Sequence, residues 1–126
     1  RDLHSFPTRR SSDLGYYWIS GAFSSETASR VLEGTKKVVN DSHGTGYAAH
    51  RDDIVLAGKT GTAEIKASKD DTSGTELGWF ADFTAEKTVE RPILIISMVE
   101  DVKGRGGSGY VVKKDGLVLE EWFSSN

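Results

Sequence analysis

Four consecutive residues combine a cation, two hydroxyls and a glycine: Lys59, Thr60, Gly61 and Thr62. The ammonium group supplies positive charge, the hydroxyls are short hydrogen-bond donors, and glycine lets a ligand approach the backbone closely. A second glycine, Gly58, directly precedes them. Free backbone N–H groups on the edge of a strand would complete a site for an extended ligand. The spacing therefore predicts binding of an anionic ligand along a strand edge.

A tetrapeptide of this kind is short, and Lys-Thr-Gly-Thr also suits an ordinary turn without function, because short motifs match by chance. The flanking sequence favours a strand instead. Apolar residues lead into and out of the motif and predict a strand over 54–66. A polar loop at 67–77 follows, and then a second strand over 78–83 that begins Gly-Trp-Phe.

The run Ala-Gly-Lys-Thr-Gly-Thr-Ala-Glu (57–64), with Gly-Trp-Phe at 78–80, resembles the third conserved box of the penicillin-binding transpeptidases. The resemblance extends from about residue 19 to the C-terminus and is closest to the class B, low-affinity type of Gram-positive bacteria. It implies an α+β fold, in which an antiparallel sheet is flanked by helices. The chain would be the C-terminal part of a serine acylase (penicillin-binding/β-lactamase-like) transpeptidase domain.

In that family a serine attacks a D-Ala-D-Ala peptide, forms an acyl-enzyme and passes the acyl group to an amine; β-lactams acylate the same serine. The resemblance implies that Lys59 and Thr62 are catalytic, through the positive potential of Lys59 and an oxyanion-binding N–H of Thr62. It implies that Thr60, Gly61 and Thr62 bind the substrate. No metal and no cofactor are implied. Strand alternation places Lys59 on the face opposite the two threonines. For all three to serve one site, either the strand borders the cleft and twists, or the lysine reaches the cleft from beneath.

The nucleophile of this family lies in an S-x-x-K motif, and no serine of this chain has a lysine three residues later. No S-x-N box is convincing either. We therefore expect half an active site, inactive by itself. Three alternatives remain: a serine D,D-carboxypeptidase fragment, a β-lactamase fragment, and a non-catalytic cell-wall peptide-binding or sensor domain.

Composition narrows the class of protein. Of 126 residues, 37% are hydrophobic and 28% are charged, which is typical of a folded domain rather than a disordered chain. A net charge of −3 argues against nucleic acid as a partner. There is no cysteine, and His4, His43 and His50 lack metal-ligand spacing. The partners that the resemblance implies are peptidoglycan stem peptides, β-lactams and, for the full-length parent, the cell-division or elongation machinery.

Residues 1–14 do not fit with the rest of the chain. They contain one of the two prolines, lack useful periodicity and resemble a translated sequencing adapter. We interpret them as a non-native scar and residues 15–126 as the C-terminal portion of the transpeptidase domain. Full-length relatives act at the extracytoplasmic face of the bacterial membrane, and the resemblance implies an N-terminal anchor that this fragment lacks.

Three further elements are predicted. An apolar stripe with a serine cap, Ser24 or Ser25, predicts a helix over 25–40. The almost continuous apolar run 93–100 predicts a central strand buried on both faces. Residues 110–123 are ambiguous, because Asp115-Gly116 is a hairpin signal while the apolar spacing is helical. The family resemblance favours the helix.

Overall fold

The structure is a computed structural model that describes residues 21–125. Its elements follow the predicted order of helix, three strands and helix, with a short 3-10 helix at Tyr47–Ala49. The others are α1 (Ser25–Asn40), β1 (Leu56–Ile65), β2 (Thr75–Thr84), β3 (Leu94–Val99) and α2 (Ser108–Ser124).

Helix α1 has the predicted bounds, and its two ends are fixed by side chains. Ser24 is the N-cap, since its Oγ accepts a hydrogen bond from the backbone N–H of Thr27 at 3.1 Å. At the other end, Nδ2 of Asn40 donates to the carbonyl oxygen of Leu56 at 2.7 Å. This second bond joins the end of α1 directly to the start of β1.

The three strands form an antiparallel sheet in the order β1-β2-β3. The second strand was predicted to begin at Gly78, and this boundary is wrong. Strand β2 begins at Thr75, which pairs with Ile65 at the end of β1. The last residues of β1 hydrogen-bond with residues 75–77, so this part of the predicted polar loop is strand.

The prediction that the third strand is central and buried on both faces is wrong for the described part of the chain. Strand β3 pairs only with β2, and Leu94 and Ile96 are 64% and 66% exposed. Ile95 and Val99, on the other face, pack against the core. The reason is that α2 covers one face of β3, whereas nothing among residues 21–125 covers the opposite face.

Residues 108–124 form the helix α2, so the helix prediction is confirmed and the hairpin alternative is wrong. A Cβ at Gly116 would lie 3.1 Å from the carbonyl oxygen of Ala48, so the glycine lets α2 approach the 3-10 helix. A Cβ at Gly78 would lie 2.9 Å from Cγ2 of Val111, so α2 also lies directly on the sheet. The buried apolar core, to which α2 contributes three residues, consists of Val39, Ala49, Leu56, Phe80, Val102, Val111, Val112 and Leu119.

Candidate active site

Strand β1, which carries the Lys-Thr-Gly-Thr motif, is an outer strand of the sheet. Within residues 21–125 it pairs with β2 alone, and its other edge has no strand beside it. The register places Thr60 opposite Phe80, Gly61 opposite Trp79 and Thr62 opposite Gly78. The two stretches on which the resemblance depends are therefore cross-strand partners.

The motif presents its side chains on both faces of the sheet, as predicted from strand alternation. Thr60 and Thr62 share the face of Phe80, which α2 covers. Lys59 and Gly61 share the opposite face. The four residues can therefore serve one ligand only if the ligand lies along the strand edge, where both faces are reached.

Lys59 is exposed, and its ammonium group bends back toward the backbone of the motif. Nζ donates a hydrogen bond to the carbonyl oxygen of Thr60 at 2.6 Å. The side chain of Lys59 starts on one face of the sheet, but this hydrogen bond places its ammonium group beside the main chain between Thr60 and Thr62. A cation at that position raises the electrostatic potential felt by an anion on the strand edge.

Thr62 is exposed and lies beside the beginning of α2. A Cβ on Gly107, the N-cap residue of α2, would lie 3.6 Å from Oγ1 of Thr62. Gly107 has a φ of 60°, a conformation that glycine adopts without strain. The positive end of the α2 dipole is thus directed toward the threonine end of the motif, where it favours an anionic group.

The loop before α2 is held against the β1–β2 hairpin by main-chain and lysine contacts. Nζ of Lys103 donates to the carbonyl oxygens of Thr72, at 2.5 Å, and Gly74, at 3.0 Å. The backbone N–H of Val102 donates to the carbonyl of Glu76 at 2.9 Å. These bonds fix the distance between the start of α2 and the strand that carries Thr62.

Thr60 is half-buried, and its hydroxyl is paired with a residue outside the motif. Its Oγ1 lies 2.8 Å from Oγ1 of Thr45, in the loop that follows α1. Nothing in the sequence singled out Thr45, because Gly44-Thr45-Gly46 has only the composition of a loop. The contact brings a third threonine hydroxyl to the motif.

Two titratable residues outside the motif, His50 and Asp71, lie in loops. His50 stacks on Tyr47 with ring centroids 5.1 Å apart, and its Nε2 lies 3.2 Å from Oδ1 of Asp52. Hydrogen bonds from the hydroxyl of Ser73 and from backbone N–H groups lower the pKa of Asp71 to about 2, which is typical of a turn-forming carboxylate. In the part of the chain described, no three His, Cys, Asp or Glu residues converge on a metal position.

Comparison with known proteins identifies the family of the chain. The family model described as "Penicillin binding protein transpeptidase domain" matches residues 17–117. The chain belongs to this transpeptidase family. The predicted fold class agrees with the assignment, as the described residues form a small α+β unit with a three-stranded antiparallel sheet.

Two individual relatives are informative about this transpeptidase-family chain. Penicillin-binding protein 3 of Bacillus subtilis (strain 168) is 41% identical over 118 residues, which is 94% of this chain and 17% of that protein. A crystal structure of an Atopobium parvulum protein provisionally assigned as a peptidoglycan glycosyltransferase superposes with a TM-score of 0.57 at 23% identity. That match covers 79% of this chain and 24% of the other, and it supports the fold. The chain thus spans about a sixth to a quarter of these relatives.

The structure also reveals a buried acid pair that sequence patterns did not indicate. Asp82 on β2 is fully buried and Asp115 on α2 is 2% exposed. Burial, followed by the negative charge of Asp115, raises the pKa of Asp82 to about 7. Burial also raises the pKa of Asp115, while the hydroxyl of Ser97 opposes that effect. Both lie in the interface between the sheet and α2 in this transpeptidase-family chain.

Proposed function

We propose that this chain supplies the substrate-binding strand of a peptidoglycan D,D-transpeptidase, an enzyme that cross-links cell-wall stem peptides through an acyl-serine intermediate. The observation that carries the proposal is the position of Lys59, Thr60, Gly61 and Thr62 on an outer strand whose free edge can accept an extended peptide. Membership of the transpeptidase family supports it.

Each residue of the strand has a role in this proposal. Lys59 supplies positive charge near the reacting groups, and the hydroxyls of Thr60 and Thr62 donate to the terminal carboxylate of a D-Ala-D-Ala peptide or of a β-lactam. The backbone N–H of Thr62 is one of two donors to the oxyanion that forms during acyl transfer. Gly61 leaves room for the peptide backbone beside the strand. The exposure of Lys59 and Thr62 supports access by such a ligand.

The serine nucleophile comes from a part of the protein outside these 126 residues, since the sequence contains no S-x-x-K. The chain by itself therefore forms no covalent adduct with penicillin. Intact-mass spectrometry after incubation with penicillin tests this directly. A stable adduct on one serine would contradict the division of the active site that we propose.

The role of Lys59 is tested in the complete protein that contains this sequence. Replacing Lys59 by Ala should slow acylation by a β-lactam about 10²-fold, the scale of losing one preorganised electrostatic contact to the transition state. Lys69→Ala is the matched control, because Lys69 is exposed in the connection between β1 and β2. Unchanged acylation in Lys59→Ala would remove Lys59 from the mechanism. In the unmodified protein, rapid hydrolysis of the acyl-enzyme would indicate a β-lactamase rather than a transpeptidase.

The same proposal places the complete enzyme at the extracytoplasmic face of the bacterial membrane, where peptidoglycan is assembled, with the cell-division or elongation machinery as its partners. Within the described part of the chain, no helix has the length and apolarity needed to cross a bilayer. Fractionation of cells that express the complete protein tests the location. Recovery in the cytoplasmic fraction would contradict it.

A further inference from the structure

Thr45 is held beside Thr60 by a tightly constrained loop. The backbone N–H of Gly46 donates to the carbonyl oxygen of Val38 at 2.9 Å, and a Cβ at Gly46 would lie 3.2 Å from Cε2 of Phe80. A Cβ at Gly44 would overlap the same carbonyl of Val38. A side chain at Gly44 would clash with the main chain and one at Gly46 would be tightly packed, so the loop lies where Phe80 and the end of α1 place it. The position of Thr45 is thus set by the end of α1 and by Phe80, the cross-strand partner of Thr60.

The hydrogen bond between Thr45 and Thr60 uses the hydrogen of one hydroxyl and leaves the hydrogen of the other available to a ligand. Each threonine hydroxyl carries one hydrogen and two acceptor lone pairs. At 2.8 Å, one of the two hydroxyls donates and the other accepts. If Thr60 donates to Thr45, it presents only lone pairs to a ligand, and these repel a carboxylate. If Thr45 donates, the hydrogen of Thr60 is free to point outward.

We propose that Thr45 is a positioning residue for substrate binding: its hydroxyl donates to Oγ1 of Thr60 and leaves Thr60 as a hydrogen-bond donor to the carboxylate of the acyl donor. This inference rests on the proposed function, which assigns carboxylate binding to Thr60. Chains of hydroxyls polarise one another, so the bond from Thr45 also strengthens the bond that Thr60 makes. Thr45 acts through Thr60 and does not itself touch the ligand.

The effect of removing the Thr45 hydroxyl should be modest, because Thr45 is exposed and water can replace part of its contribution. We expect a loss of about three- to tenfold in kcat/KM, or about 0.7–1.4 kcal/mol, which lies within the contribution of a hydrogen bond between neutral groups. The loss should appear only for a ligand that carries the carboxylate. A substitution that merely disturbs the fold would lower kcat/KM for every ligand.

The test uses the complete protein and two thioester acyl donors that differ in one group. One donor has a leaving group that ends in a carboxylate, and in the other that carboxylate is a primary amide. Thr45→Val, which keeps the shape and loses the hydroxyl, should lower kcat/KM about three- to tenfold for the carboxylate donor and leave the amide donor unchanged. Thr45→Ser should restore the carboxylate preference. Should Thr45→Val not fold, Thr45→Ala removes the same hydroxyl with less bulk.

A double-mutant cycle tests whether Thr45 affects the ligand through the hydroxyl of Thr60. In a Thr60→Val background, Thr45→Val should cause no additional loss, because the hydroxyl through which it acts is already absent. A carboxylate preference that is equal in the unmodified protein and in Thr45→Val would overturn the role of Thr45 while leaving the proposed function intact. An unmodified protein without any carboxylate preference would overturn the carboxylate site itself, and this inference with it.

Discussion

The hydroxyl of Ser97 on β3 donates to Oδ1 of Asp115 on α2 over 2.6 Å, and this bond joins the sheet to the helix inside the core. The other oxygen of Asp115 has no hydrogen-bond partner among residues 21–125, and neither oxygen of the neighbouring Asp82 has one. Two buried carboxylates that share one hydrogen bond from a side chain cannot both be ionised in such an interior without a large cost in free energy. The core therefore favours a proton on this pair.

Asp82→Asn should stabilise the chain above pH 7. Burial raises the folded-state pKa of Asp82 from 3.8 to about 7, so its contribution to stability is largest below pH 4 and is lost as pH rises through 7. A shift of about three units sets an upper bound on the order of 4 kcal/mol. Asparagine cannot ionise, so the free energy of unfolding should lose this dependence on pH. Urea denaturation at pH 5 and pH 8 measures the difference.

The matched control for that experiment is Asp70→Asn, because Asp70 is an exposed carboxylate in the connection between β1 and β2. It should change the free energy of unfolding little, and equally at both pH values. If Asp82→Asn gave the same change at pH 5 as at pH 8, Asp82 would not be the group that takes up the proton.

Gly78→Ala should destabilise the chain by about 1–3 kcal/mol, since an added methyl group would lie 2.9 Å from Cγ2 of Val111 and 3.0 Å from Cγ1 of Val102. Gly34→Ala in α1 is the control, because no atom lies within 4 Å of its added Cβ. Alanine in a helix interior is favoured by up to about 1 kcal/mol, so the control should stabilise. Chemical denaturation of both variants should therefore give opposite signs. A neutral Gly78→Ala would show that α2 does not pack closely on the sheet.

Local sequence patterns were sufficient for the elements whose signals lie within a few residues. The apolar stripe and the serine cap located α1, and the flanking residues located β1. Helix α2 was ambiguous because Asp115-Gly116 has the composition of a hairpin turn. The structure explains the glycine by the close approach of Ala48, a contact between residues distant in sequence. That contact leaves no periodic pattern in the chain.

Features that depend on tertiary neighbours were not predictable from the sequence. Strand β3 has the apolar content of a central strand, but whether each face is covered depends on elements elsewhere in the protein. Thr45 became part of the candidate site only through the fold, since its loop signal carries no information about Thr60. The register that places Gly78 opposite Thr62 was equally hidden, although both residues belong to the stretches on which the resemblance rests.

Ser24→Ala should lower the stability of the chain by about 1 kcal/mol, because its Oγ accepts the backbone N–H of Thr27 at the start of α1. Ser25→Ala is the natural control: Ser25 is the first residue within the helix, where alanine is well tolerated. Thermal denaturation of the two variants shows whether Ser24 or Ser25, the two candidates from the sequence, caps the helix. Equal losses in both variants would contradict the assignment of Ser24 as the N-cap.

Ile96→Lys should reduce self-association of the isolated chain. Ile96, Met98 and Trp79 lie on the sheet face that α2 does not cover, and each is exposed. Exposed apolar patches beside an unpaired strand edge promote association, and an exposed lysine on an edge strand opposes it. In sedimentation velocity, the unmodified chain should sediment faster as its concentration rises, whereas Ile96→Lys should not. Leu117→Lys, an equally apolar-to-charged change on exposed α2 surface, should still associate, and loss of association in both variants would show that the sheet face is not responsible.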